Sequence, residues 1–476
     1  MEIRPFNISK IFFFLFILSL FFPIRYVFFN ESSISTGIYS DFTSISLYLS
    51  DILLFLSFIF IVSRGKELLL IVKSQLSIVF LFFWLILALF WQFYAGFSDL
   101  NAFFFIKMVE LIVLYGTTAV LFKEFTLKKP FFVFFSILAG LQSLIALAQF
   151  YLQQPIGLNK LGEQIILPQI TGIAKLVVDG ATYIRGYGTF PHPNPLSAFL
   201  IVGVFATLYL LVQKTRRWER GLYAILLLIN VLGITTTFSR AAFLALFIGL
   251  IVFCGYLMFN GKQKITSTQS SSSEVKEQKK DSLPAEGERV RVGWVFGYLT
   301  MSILISFFIF KPFLLTRATV SDSASLERMA YNKIGVRMVK DAPIFGVGGG
   351  ESVLHMEQFS DVKLWPWQKQ PIHNFFLLAA AELGILGALI LIWVFISHVW
   401  KLFKNLKLPA RHQLEPQATA GRKIENSEPT YYLLLATIFL CFLVLMLFDH
   451  YFYTLQQTQM LLWLILGLIA AEIKTP

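Results

Sequence analysis

The chain has 476 residues, 56% of them hydrophobic and only 14% charged, with 52 phenylalanines and a net charge of +12. Charged residues make up about a quarter of an ordinary soluble domain, so that class is excluded. Its two cysteines, Cys254 and Cys441, fall inside apolar runs and exclude a disulfide-stapled secreted scaffold.

Apolar runs long enough to cross about 30 Å of hydrocarbon recur along the whole length. They predict about twelve spans, near 11–29, 43–62, 76–95, 102–122, 130–152, 195–213, 221–238, 240–259, 293–311, 375–399, 430–448 and 454–472. No small-residue cleavage pattern follows the first run, so it reads as an uncleaved span rather than a signal peptide. The expected fold is an all-α polytopic membrane protein, one integral membrane domain over 1–476. A large, partly helical extracytoplasmic loop, 312–374, is expected between the ninth and tenth helices.

Basic residues set the orientation. With the N-terminus inside, the inner segments carry Arg4 and Lys10, then Arg64, Lys66 and Lys73, then Lys123, Lys128 and Lys129, then Lys214, Arg216, Arg217 and Arg220. The outer loops near 30–42 and 96–101 carry neither Lys nor Arg. This is the positive-inside pattern, and it places both termini in the cytoplasm. The positive charge is therefore topological and does not point to nucleic acid. Segments 260–292 and 400–429 read as cytoplasmic linkers; the first, with STQSSSSEVKEQKKDSLPAEGE, is too polar to fold alone.

In chain order, Asp51, Lys107 and Glu110 are the first polar residues within spans. Lys107 and Glu110 lie three apart and can pair on one helix face. A solute or polysaccharide transporter would instead use all three as a coupling-ion site. The structural pair is the preferred reading, because no broken helix is read nearby. RGYGTFPHPNPLSAFL, Arg185 to Leu200, leads into the sixth span, with Asn194 as the expected N-cap and Pro195 at the first helical position. TTTFSRAAF opens the eighth, with Ser239 as cap and Arg240 in or beside the first turn.

In the outer loop, Leu326, Ala330, Ile334 and Met338 repeat every four residues, which predicts an amphipathic helix over 325–340 of a kind that can rest on the membrane surface. Pro343 stops it. The FGVGGGESV that follows lacks the Lys-Ser/Thr of a phosphate loop and reads as a flexible turn over the pocket. Trp365, Pro366 and Trp367 suit an interfacial edge. PIHNFFLLAAAELGILG, Pro371 to Gly387, opens the tenth span and is the expected active site, since polar groups at a membrane helix mouth are costly. Asp449 and His450 close the eleventh span on the same side. Outward helix N-termini offer unpaired N–H groups, so Arg185, His192, Arg240 and His373 make an anion site if they converge.

Four pieces in this order, RGYGTFPHPN, TFSRAAF, LERMAYNKIGVRMVKDAPIFGVGGG and HNFFLLAAAELG, resemble the O-antigen ligase and O-antigen polymerase family of bacterial membrane glycosyltransferases. The resemblance runs from about Arg185 to the C-terminus. The family pattern of His, a small polar residue, Leu and Gly falls on His373, Asn374, Leu377 and Gly384. It implies inverting, metal-independent transfer or polymerisation of a glycan at the outer face of the cytoplasmic (inner) membrane, with no cofactor. The donor would be an undecaprenyl-pyrophosphate-linked glycan, the acceptor a glycan, lipid or protein. By resemblance Arg185 and Arg240 hold the pyrophosphate, His373 assists the incoming hydroxyl, and Arg328 contacts either substrate. Asn194, Asn374, His192, Asp449 and His450 are further candidates. PHPNP is more proline-rich than the family pattern, which bears on His192. No His/Cys/Asp cluster is read on the outer side, in keeping with a metal-free reaction.

Overall fold

A helix stands at every expected span. They are α1 (Pro5–Phe21), α2 (Leu49–Ile61), α3 (Leu76–Ala95), α4 (Asp99–Phe122), α5 (Lys128–Leu152), α6 (Pro193–Val212), α7 (Arg217–Thr236), α8 (Arg240–Ser270), α9 (Pro284–Thr319), α10 (Phe375–Leu406), α11 (Pro429–Phe448) and α12 (Gln456–Ala471). This is a computed structural model, and it describes residues 5–472 apart from 29–30, 35–36, 97, 214, 271–283, 320–322 and 407–428. Much of both expected linkers, 260–292 and 400–429, lies outside the described residues. Among those described, nine helices, α3 to α11, are long and apolar enough to cross a membrane; α1 and α12 are shorter apolar helices. The chain is thus an all-α polytopic membrane protein.

The first two spans are shorter than expected. Pro23 follows α1, and RYVF (Arg25–Phe28, β1) pairs antiparallel with ISLY (Ile45–Tyr48, β2), Arg25 opposite Tyr48. Aromatic and β-branched residues favour a strand over a further helical turn. A second hairpin, β3 (Lys175–Val178) with β4 (Ala181–Ile184), leads directly into Arg185. At the other boundary, α9 continues to Thr319, past the start expected for the outer loop.

The core is built around α6, whose membrane-length window is 94% buried. It packs against α5, α7, α8, α9, α11 and α12. Small residues permit this closeness: a Cβ on Gly203 would lie 2.5 Å from Ala139, and one on Gly233 would strike Ser143 at 2.2 Å. Large apolar side chains such as Phe83, Phe90 and Phe93 point outward from α3. An apolar surface on that scale belongs in lipid.

Asp51, Lys107 and Glu110 close on one another. Lys107 Nζ lies 3.0 Å from Glu110 and also bonds Asp51, which in turn accepts from Gln456. Lys107 thus pairs with Glu110 as the spacing expects and takes Asp51 as a second partner.

The loop helix (Ser323–Asp341) buries Tyr331, Ile334 and Met338 against α10 and leaves Leu326 exposed. It docks on protein, with Gly335 close against Ile372 and Leu377. The glycine turn after it is strapped down. Val347 N–H donates to the Ala381 carbonyl at 2.8 Å, Gly350 N–H to the Glu382 carboxylate at 2.6 Å, and Ile385 N–H to the Pro343 carbonyl at 2.8 Å. The strap fits because α10 breaks at Gly384, with φ 75° and ψ 171°. A Cβ there would sit 1.8 Å from the Ile344 carbonyl oxygen, so only glycine permits the crossing. The expectation of continuous helix near Lys107 and Glu110 is therefore corrected: α10 is interrupted, and docked loop backbone satisfies the freed groups.

Candidate active site

The site grows from the entries of α6, α8 and α10 and the end of α11. His192, not Asn194, caps α6: Asn194 N–H donates to His192 Nδ1 at 3.1 Å, and Pro193 takes the first helical position. The shift releases the Asn194 side chain. Its Oδ1 accepts from Arg185 Nη2 at 2.9 Å, and its Nδ2 donates to Asp449 Oδ2 at 2.8 Å. Arg185 is buried, and its Nε donates to the Thr237 carbonyl at 2.5 Å. One guanidinium thus joins the turn before α8 to the carboxylate after α11.

That turn is strained. Phe238 has φ 43°, unusual for a bulky residue. Arg317 Nε, from the end of α9, donates to the Phe238 carbonyl at 3.2 Å. Arg240 is exposed and donates to the Arg317 carbonyl from Nη2 at 2.9 Å and from Nε at 3.1 Å. The hydrogen bonds from Arg185 run through Asn194 to Asp449.

At α10, Asn374 is the cap: its Oδ1 accepts from Leu377 N–H at 2.9 Å, and its Nδ2 donates to the Leu447 carbonyl of α11 at 3.0 Å. His373 is left to face the cluster. Its Nδ1 lies 2.9 Å from the Pro371 carbonyl. A carbonyl only accepts, so Nδ1 carries the hydrogen and Nε2 is the acceptor nitrogen of the neutral ring. The ring stacks on Tyr331 at 5.4 Å and meets His450 edge-on at 4.9 Å. His450 Nδ1 bonds Thr454 Oγ1 at 2.7 Å. Arg328 reaches within 4.0 Å of Asp449.

His373, Asp449 and His450 therefore form a cluster whose ligand-type atoms lie within 4.8 Å of one another. This overturns the expectation that no His/Asp group gathers there. The residues come from two loops distant in sequence, and only packing of α10 against α11 joins them. Three such atoms could hold a cation, although one there would compete with Arg328 for Asp449.

Electrostatics follow from burial. Burial lowers the His373 pKa, with Arg328 acting the same way and Asp449 opposing. Burial likewise pushes His450 down to about 3, against the pull of Asp449, and His192 down to about 3, aided by Arg185. Burial opposes ionisation of Asp449. His450, His373, Arg328 and the Asn194 amide outweigh it and hold the carboxyl well below its ordinary range. The arrangement is a carboxylate beside two imidazoles, with Arg328 at 4.0 Å and Arg185 reaching it through Asn194.

Residues 224–392 match the model of the family described as O-antigen ligase. The match supports assignment to the O-antigen ligase/polymerase family. It brings with it a glycosyltransferase-like role in polysaccharide assembly on lipid-linked glycans. No curated protein matches the chain. The family segment carries Arg240, Arg328, His373 and Asn374; Arg185, His192 and Asn194 precede it, and Asp449 and His450 follow it. Arg317, Tyr331 and Thr454 were not singled out from the sequence. Tyr331 follows Arg328 by three residues on one helix face, a spacing that signals a shared surface. Nothing local marks Arg317 or Thr454.

Proposed function

We propose that the protein transfers or polymerises a glycan carried on undecaprenyl pyrophosphate, at the outer face of the cytoplasmic membrane. Both termini and segments 260–292 and 400–429 face the cytoplasm, and 312–374 covers the site from outside. The observation that carries this reading is the fixed tautomer of His373, with an acceptor nitrogen presented inside a cluster flanked by arginines. The acceptor hydroxyl gives its proton to His373 Nε2 as its oxygen bonds the anomeric carbon. The bond from that carbon to the pyrophosphate oxygen breaks, and its electron pair leaves with the phosphate. A single displacement inverts the anomeric centre. Asp449 stabilises the imidazolium that forms.

Arg328 and Arg240, the more exposed guanidinium groups, meet the leaving pyrophosphate, for which planar bidentate donors are suited. Arg185 holds both sides of the site in register. Because Arg328 already supplies positive charge beside Asp449, the reaction needs no metal.

The test is the full chain in nanodiscs with lipid-linked oligosaccharide and candidate acceptors. Release of undecaprenyl pyrophosphate together with a lengthened acceptor, unaffected by chelator, is expected. Movement of glycan across the bilayer without any release would establish a transporter instead.

A further inference from the structure

Pro371 and Thr454, which hold the two histidines, also line a cavity of about 90 Å³. One buried water needs at least about 10–15 Å³, so the cavity has room for several waters or a ligand's hydroxyl-bearing edge. It is enclosed by the first hairpin, the head of α4, the glycine strap and the start of α12. Phe42, on its wall, packs edge-on against His450 at 5.4 Å. The cavity therefore lies against His450, the edge-on neighbour of His373.

Its chemistry differs from that of the arginine side. Asp41 is paired with Arg25 at 2.6 Å, Glu382 accepts from the Gly350 and Ser352 N–H groups, and no arginine stands among the described lining residues. Its one lysine, Lys107, is already paired with Asp51 and Glu110. A wall whose charges are already paired offers no free cation to a pyrophosphate and suits a neutral ligand. Tyr48, Phe103 and Phe104 add apolar faces of the kind a pyranose ring covers. Ser46, only 4% exposed, has a buried Oγ with no hydrogen-bond partner among the described residues. A buried polar atom left unpaired requires a partner from elsewhere, and a ligand hydroxyl supplies one. On the far side of Asp41 and Tyr48 the cavity adjoins a cleft of about 350 Å³ lined by Lys160, Glu163 and Gln457. That cleft has room for further sugars of the same chain.

We infer that this cavity binds a neutral, hydroxyl-rich pyranose ring of the acceptor, held beside the His373–His450 pair. The assignment rests on the transferase reading above. It makes the hairpin of β1 and β2 part of the acceptor site.

The test uses the full chain in nanodiscs and three probes, the methyl glycosides of glucose, galactose and N-acetylglucosamine, followed by saturation-transfer NMR. Saturable binding of at least one is expected. Ser46→Leu, which fills the cavity, should weaken it about tenfold or more. Ser46→Ala keeps the space, loses one hydrogen bond and should weaken it about fivefold; it also serves if the leucine variant fails to fold. No saturable binding of any probe, or equal binding by wild type and both variants, overturns the inference. So does equal loss of lipid-linked donor binding in Ser46→Ala, which would make this a donor site. Sugar binding that persists in a protein releasing no undecaprenyl pyrophosphate would overturn the transferase reading alone.

Discussion

Replacing His373 by asparagine separates chemistry from architecture. A positioned general base contributes about 10²–10⁴-fold to rate, which is about 3–5 kcal/mol of barrier. Asparagine keeps an N–H for the Pro371 carbonyl but offers no basic nitrogen in place of Nε2. The structural cost is small. The variant loses the contacts with Tyr331 and His450, together about 1–2 kcal/mol for a half-buried ring. The cap of α10 is untouched, because Asn374 takes the Leu377 N–H at 2.9 Å. Asn374→Ala is the converse control, since it removes that cap and the bond to Leu447, at about 1–2 kcal/mol of stability. The assay is undecaprenyl pyrophosphate release at saturating donor, beside thermal unfolding in the same nanodiscs. Turnover falling about a hundredfold or more is expected, with unfolding lowered no further than in Asn374→Ala, whose turnover stays near wild type. An asparagine variant within about threefold of wild type would refute the proton-acceptor role.

Gly384→Ala meets the Ile344 carbonyl at 1.8 Å with φ at 75°, and should destabilise by about 2–5 kcal/mol, read as early thermal unfolding; an unchanged melting point would contradict the strap. Arg185→Lys should insert normally yet lose about tenfold or more in transfer, because one ammonium cannot serve both Asn194 and Thr237; near-normal rates would reduce Arg185 to packing. The lowered pKa of His373 keeps its ring neutral at pH 6.5, so transfer should hold as pH falls through that value and decline only below it; half-loss at or above pH 6.5 would count against the neutral base. In a background lacking Cys254 and Cys441, an impermeant thiol reagent on intact cells should label Gln358→Cys and spare Ser272→Cys. The opposite pattern would invert the topology.

Hydropathy and basic-residue asymmetry depend on each stretch of chain separately, so the sequence alone determined the membrane class, the positions of the helices and the expected sidedness. The order of the short motifs likewise singled out His373, Arg328, Arg240 and Arg185. Convergence is another kind of property. Only the close packing of α10 against α11, and of α6 against α11, brings Asp449 and His450 to His373 and makes Asn194 a bridge rather than a cap. Gly384 stood in the sequence as the glycine of the family pattern, but that it breaks the helix came only from the loop segment that crosses it. The hairpin of β1 and β2 was read as span and outer loop because aromatic, β-branched residues are as hydrophobic as a helix in lipid. Short apolar runs do not distinguish the two by periodicity, and pairing with a partner strand decided the outcome.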